Sequence, residues 1–74
     1  MKRIVVVGKR YRHFKGIEVE VIVLAKDSET LDDIVVYKHD NVYWTRTLTE
    51  FLSEVDHKKY PNVKQKYRFE EISE

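Results

Sequence analysis

Residues 11–16 read Tyr-Arg-His-Phe-Lys-Gly, so basic or titratable side chains alternate with aromatic rings. His13 changes its charge near neutral pH and therefore donates or accepts a proton easily. The same segment also fits a short strand with solvated basic side chains, followed by a turn at Gly16. Because successive side chains of a strand point to opposite faces, at most one side of this segment forms a site.

A first hypothesis for this segment is the binding of single-stranded nucleic acid. Small barrels hold single strands with cations on the phosphates and aromatic rings stacked on the bases. The residues that would do so here are Arg10, Tyr11, Arg12 and Lys15. Against this hypothesis, the net charge of the chain is only +1, and aromatic residues dominate the cores of small domains.

Charge is distributed unevenly along the chain. Residues 1–15 hold six basic residues and no acid, whereas residues 17–56 hold ten acids and three lysines or arginines. This asymmetry indicates either a basic face for polyanions or a basic arm that the acidic middle neutralises within the fold.

The totals limit the size, class and location of the protein. The chain has 74 residues and no cysteine, which predicts a single domain over residues 1–74 without a disulfide. The three histidines share no short spacing, so neither a metal nor a cofactor is expected. The apolar run of residues 4–7 is too short for a signal peptide or a membrane span. We therefore expect a soluble, cytoplasmic protein without membrane contact.

Periodicity predicts a mainly β protein. Apolar runs rich in β-branched or aromatic residues predict strands at residues 4–7, 17–25, 34–38, 42–46 and 67–72. In the longest run, residues 17, 19, 21 and 23 share one face, and its end is expected to be buried on both faces. Residues 39–41 read as a hairpin turn. Thr47 and Glu50 have capping-box spacing before an apolar stripe, which predicts a helix of about two turns.

These elements fit a small SH3-like barrel or a strongly curved antiparallel sheet of five to six short strands with one short helix. The last strand would pair with residues 4–7 and close the sheet. We expect a monomer, or a homodimer through an edge strand if a long edge stays unpaired.

The motifs Y-R-H-F-K-G, A-K-D-S-E-T, V-V-Y, W-T-R-T and F-L-S-E-V follow one another in this chain. Through them it resembles the bacterial family called domain of unknown function 1653 (DUF1653), from about residue 8 to residue 69. The family usually has proline where this chain has Thr47, and its hairpin is longer than the one between residues 36 and 44. The resemblance implies a compact β domain without an established activity. If the longer hairpin contacts a ligand in the family, this chain lacks part of that site.

The polar and aromatic members of these motifs form the candidate ligand site. They are His13, Lys15, Glu29, Tyr37, Trp44 and Arg46. The loops at residues 15–16 and 28–30 are expected to converge near Arg46, which would bind a carboxylate or phosphate bidentately. Alternatively, Glu29 pairs internally with Arg46 or Lys15 and only fixes the loops.

Three functional classes stay open. The favoured one is a non-enzymatic binding module for a small anionic ligand or for an extended or acidic peptide. No nucleophile motif and no phosphate-binding glycine loop is present, so we expect no enzyme. The alternatives are single-stranded nucleic-acid binding and a purely structural or protein-interaction domain. In the latter, the aromatic residues of the hairpin only form cross-strand pairs.

Overall fold

One antiparallel sheet and one short helix form the regular structure of residues 3–73, the residues that this computed structural model describes. The elements are β1 (Arg10–His13), β2 (Glu18–Lys26), β3 (Asp33–His39), β4 (Val42–Thr47), α1 (Leu48–Phe51) and β5 (Phe69–Glu71). The spatial order of the strands is β4-β3-β2-β1-β5. The two end strands do not pair, so the sheet is open and is not closed into a barrel. The prediction of a mainly β fold with one short helix is confirmed.

Two turns at one end of the sheet depend on backbone conformations that few residues adopt. Asp40 and Asn41 have φ angles of 57° and 62°, the pattern of a type I′ turn between β3 and β4. Gly16 has a φ of 95°, and its N–H donates to the His13 carbonyl over 2.8 Å between β1 and β2. Both predicted turns are confirmed.

A β-bulge in β2 changes which side chains face the core. The register of β2 against β3 shifts between Val21 and Val23, and beyond the shift Leu24 pairs with buried Val35. Val23 and Leu24 are 45% and 46% exposed. The predicted alternation through Val23, with burial on both faces, is therefore wrong. A run of β-branched residues carries no sign of the extra residue that a bulge inserts.

Residues 4–7 form no strand, although their β-branched side chains predict one. Val5 packs against the core. The partner of β5 is β1, so the predicted closure of the sheet through residues 4–7 is wrong. The guanidinium of Arg3 donates to the carbonyls of Phe69 over 2.6 Å and Leu52 over 2.8 Å. Side-chain hydrogen bonds from Arg3 thus anchor this segment in place of strand pairing.

The core lies between the sheet and α1. Phe51 of the helix stacks on Phe69 of β5 with ring centroids 4.2 Å apart, and it meets Tyr11 edge-on at 5.3 Å. Aromatic pairs with these geometries stabilise a core beyond the area that they bury. Phe51 therefore holds the helix against the strands β1 and β5.

The helix begins as predicted and ends early. The Glu50 N–H donates to the Thr47 hydroxyl over 3.2 Å, and this hydroxyl donates to the Glu50 carboxylate over 3.0 Å. The helix ends after one turn instead of two. The chain then runs beside residues 66–68, where the Val55 N–H donates to the Lys66 carbonyl. No helix within residues 3–73 is long and apolar enough to be a membrane span.

The strand β4 forms one edge of the sheet. It has six residues, and the side chains of Tyr43 and Trp44 are 62% and 49% exposed. Long exposed edges are templates for pairing with another chain. The edge-strand homodimer stays a prediction, which sedimentation equilibrium tests against the 9.0 kDa mass of one chain.

Candidate functional site

The face of the sheet that carries the core is covered only in part. Cross-strand pairing puts Trp44 opposite Tyr37 and Arg46 opposite Val35, so these side chains share the face of the buried Tyr37 and Val35. The helix covers one region of this face through Phe51. Trp44 is half exposed, so the region around it is open to solvent.

An apolar cavity of about 200 Å³ occupies this open region. Its buried members are Val19, Tyr37 and Phe69, and its half-exposed members include Ile17 and Trp44. The full lining of this apolar cavity is His13, Ile17, Val19, Tyr37, His39, Trp44, Arg46 and Phe69. Aliphatic and aromatic side chains with a few polar groups at one end are the usual lining of a small-molecule site.

A second depression of about 310 Å³ adjoins the apolar cavity and shares His13 and Arg46 with it. We call it the cationic pocket, and its lining is His13, Phe14, Lys15, Arg46, Asp56, Lys59, Tyr60 and Arg68. Four of these residues are lysines or arginines, and one is an acid. The carboxylate of Asp56 accepts hydrogen bonds from the backbone N–H groups of Lys58 and Lys59, so it caps a turn.

The arginines of the cationic pocket lack acceptors for part of their guanidinium groups. The Nε atoms of Arg46 and Arg68 are buried and have no hydrogen-bond partner. Among residues 3–73, no carboxylate forms an ion pair with either arginine. The Arg46 guanidinium instead lies 5.8 Å from the centre of the Phe69 ring. Buried N–H groups nearly always have partners, so these two unpaired atoms are unusual features of the residues that line the cationic pocket.

His13 lies between the two depressions and is uncharged at neutral pH. Burial, and after it the positive charges of Arg46, Lys15 and Arg68, together lower the pKa of His13 from 6.5 to about 4. Its ring meets Phe69 edge-on, with centroids 4.9 Å apart. The depressed pKa thus reflects first the burial of the ring and then the positive charge around it.

The sequence of this chain was compared with models of known protein families. The model for the family "Protein of unknown function (DUF1653)" matches residues 9–71. The chain belongs to the DUF1653 family. The match covers nearly the whole chain and includes every residue that lines the two depressions. No match was found among curated proteins or among solved structures.

Five of the six residues predicted to bind a ligand line these depressions. They are His13, Lys15, Tyr37, Trp44 and Arg46. Glu29 lines neither, and the predicted convergence of its loop with the turn at Gly16 is wrong. The two loops lie at opposite ends of β2, whose nine residues span about 30 Å.

The alternative role of Glu29 as an internal ion-pair partner is also wrong. Among residues 3–73, no ion pair joins Glu29 to Arg46 or Lys15. The Glu29 N–H instead donates to the carboxylate of Asp27 over 2.8 Å, and the Thr30 N–H donates to the same oxygen. The backbone bonds from Thr30 and Glu29 lower the pKa of Asp27. Asp27 thus caps this loop locally.

Several site residues were not predicted from the sequence. Arg68, Lys59, Tyr60 and Phe69 come from the end of the chain, where the spacing of residues 54–68 follows no helix or strand period. Lys59 lies beyond the end of α1 at Phe51, in a segment without regular structure. The one available signal was the concentration of lysine and arginine after residue 57.

The two other histidines, His39 and His57, each lie beside a backbone carbonyl oxygen. His39 reads from the sequence as a turn residue, but it ends β3 and lines the apolar cavity, with its Nδ1 3.1 Å from the Glu18 carbonyl oxygen. The His57 Nε2 lies 3.1 Å from the Gln65 carbonyl oxygen. Within residues 3–73, no three histidine or acidic side chains are arranged to hold a metal ion.

Most of the residues predicted to bind nucleic acid, in the segment 10–15, are not available to it. Arg10 and Arg12 both bind the carboxylate of Glu18, over 2.6 Å and 3.2 Å. Tyr11 is only 2% exposed, so its ring is not available to a base. Lys15 lines the cationic pocket. The alternating segment therefore presents Arg12 on the outer face of the sheet and His13 on the inner face.

Proposed function

We propose that this domain is a non-enzymatic binding module whose ligand is a small anion held in the cationic pocket. The observation that carries the proposal is the pair of buried Nε–H groups of Arg46 and Arg68, neither of which has an acceptor. A carboxylate or phosphate oxygen supplies such an acceptor, and charge-assisted hydrogen bonds to arginine are about twice as strong as neutral ones.

The charge of the cationic pocket supports the same ligand. Four lysines and arginines face a single carboxylate, that of Asp56, while His13 is neutral. A depression lined by one sign of charge concentrates ions of the other sign. An acidic or extended peptide would reach this space through one carboxylate at a time. A small anion is therefore the preferred ligand class.

Single-stranded nucleic acid is the weaker candidate, since Arg10 and Arg12 bind Glu18 and Tyr11 is buried. The salt dependence of binding separates the two ligands. A strand that contacts several cations releases several counterions, so its affinity falls steeply with salt. A small anion in one pocket gives a much shallower dependence.

Isothermal titration calorimetry with sodium phosphate and with sodium propionate at low ionic strength tests the proposal. We expect saturable binding to the wild type and a loss of roughly tenfold or more in Arg46→Gln, because hydrogen bonds to charged groups are among the stronger ones. Arg12→Gln is the matched control, since Arg12 lies on the outer face and should leave binding unchanged. Equal losses in both variants would contradict the assignment to this pocket. No saturable binding of either anion would favour a purely structural domain.

A further inference from the structure

We infer that the ligand is a carboxylate joined by a short link to one aromatic ring or one branched apolar group. This inference rests on the proposed function and specifies its ligand. The carboxylate occupies the cationic pocket, and the apolar body occupies the apolar cavity. The two depressions are adjacent, and His13 and Arg46 line both. A ligand bound by Arg46 therefore has the apolar cavity directly beside it.

The chemistry of the apolar cavity determines the body of the ligand. Val19, Tyr37 and Phe69 are buried at its base, while Trp44 and Ile17 leave 49% and 42% of their surface exposed to water. Covering such apolar surface removes it from water and is therefore favourable. A body rich in hydroxyl groups, such as a sugar, would find few hydrogen-bond partners here. An aromatic or branched body covers the exposed ring of Trp44.

The size of the apolar cavity limits the body to a single ring or a group of similar volume. The cavity measures about 200 Å³. An apolar cavity of about 150 Å³ binds benzene, whereas sites for drug-sized molecules have volumes of about 300 Å³ or more. A single phenyl ring or a branched chain therefore fits, and a fused polycyclic body does not.

The cationic pocket favours a carboxylate over a phosphate on this body. The planar guanidinium of Arg46 binds either group through two parallel hydrogen bonds, so the choice between them depends on charge. Asp56 lines the same pocket and repels a second negative charge on the ligand. A monoanion is therefore the better match, although four cations surround it.

Two sources supply this chemistry: a free arylalkanoate, and the C-terminal residue of a peptide whose last side chain is aromatic or branched. The open edge of β4 carries both Trp44 and Arg46, and an extended peptide can pair with such an edge while its carboxylate is captured. The two sources share the carboxylate and the apolar group, and the peptide alone adds backbone contacts.

A fluorescence titration tests the inference, because Trp44 is the only tryptophan of the chain and lines the apolar cavity. The probes are 3-phenylpropionate, its uncharged amide, propionate and phenyl phosphate. Where a probe does not change the Trp44 fluorescence, calorimetry measures its affinity. We expect 3-phenylpropionate to bind at least tenfold more tightly than propionate, the amide and phenyl phosphate.

An acetylated tripeptide that ends in phenylalanine with a free carboxylate distinguishes the sources. Tighter binding than 3-phenylpropionate identifies a peptide C-terminus, and weaker binding identifies the free acid.

The outcomes separate this inference from the proposed function. Equal affinities of propionate and 3-phenylpropionate would overturn the inference and leave the small-anion proposal intact. Tighter binding of phenyl phosphate would overturn the preference for a carboxylate. Equal affinities of the acid and its amide would overturn the anion proposal itself. The absence of binding by all probes would overturn both.

Two neighbouring residues of β4 provide matched variants. Trp44 and Tyr43 are adjacent, lie on opposite faces of the strand and are both exposed. By calorimetry, Trp44→Ala should lose the preference for 3-phenylpropionate over propionate and keep its affinity for propionate. Tyr43→Ala should keep both. Loss of the preference in Tyr43→Ala, or its retention in Trp44→Ala, would contradict the placement of the apolar body.

Discussion

The backbone N–H of Lys15 donates a hydrogen bond to the Nδ1 atom of His13 over 3.1 Å. Because Nδ1 accepts this bond, the proton of the neutral ring lies on Nε2. The turn closed by Gly16 holds the Lys15 N–H beside the ring. The tautomer of the residue between the two depressions is therefore set by a local turn, and its Nε2–H is left as a donor.

Acidification should destabilise the protein through His13. Its pKa is about 4 in the folded chain against an ordinary value of 6.5, chiefly because of burial and then of Arg46. The unfolded chain thus binds a proton at a higher pH than the folded one, so stability present above pH 6.5 is lost as the pH falls towards 4. Urea unfolding at about pH 7 and about pH 5 should show a larger loss for the wild type than for His13→Gln. Equal losses in both proteins would contradict this origin.

Anion binding should raise the pKa of His13. A negative charge beside the ring stabilises the imidazolium form and offsets Arg46, Lys15 and Arg68. By reciprocity, the affinity for the anion rises once the pH falls below the pKa of the bound state. The ring resonances of His13 in NMR spectra, followed against pH with and without 3-phenylpropionate, measure both values. A pKa that stays at about 4 in the saturated complex would place the anion away from this ring.

Removing one arginine of the cationic pocket should stabilise the free protein. Arg46 and Arg68 keep buried Nε–H groups without acceptors, and the charges of the pocket repel one another. Arg46→Met keeps much of the side-chain volume and should raise the free energy of unfolding by about 1 kcal/mol at low salt.

The matched control for this prediction is Arg12→Met. It removes an exposed ion pair with Glu18, so we expect a loss of about 0.5 kcal/mol or less. Thermal or urea unfolding of the three proteins provides the comparison. A destabilised Arg46→Met variant would show that Arg46 has a structural role in the free domain.

Leu31 adopts a conformation that suits glycine better than leucine. Its φ is 64° and its side chain is 70% exposed, so it gains little burial in return. Leu31→Gly should stabilise the protein by about 0.5 to 1 kcal/mol. This net gain is the relief of backbone strain in the folded chain minus the entropic cost of ordering the more flexible glycine. Leu31→Ala keeps the Cβ atom and should show no such gain in urea unfolding. A gain in alanine equal to that in glycine would refute the backbone explanation.

Local signals in the sequence predicted the turns and the helix start. Asp40 and Asn41 tolerate positive φ, Gly16 adopts it without strain, and Thr47 caps a helix through its own hydroxyl. Each of these features depends on a few neighbouring residues. Sequence reading therefore placed the turns that position His13 and Lys15, and the hairpin that carries Trp44 and Arg46.

Features that depend on distant parts of the chain were not predictable in this way. Residues 4–7 have strand propensity, yet Arg3 anchors them by side-chain bonds to distant carbonyls. The loop that carries Glu29 follows the far end of β2, which loop composition does not reveal. Arg68 reaches the cationic pocket from a segment whose spacing follows no regular period.

The most direct measurement is the NMR shift of the arginine Nε–H groups during titration with 3-phenylpropionate. The Nε–H groups of Arg46 and Arg68 lack acceptors in the free chain, so binding should move their proton resonances downfield in a saturable way. The resonance of Arg12, which binds Glu18 on the outer face, should stay in place. Unchanged resonances of Arg46 and Arg68 at saturation, or equal movement of Arg12, would contradict the account.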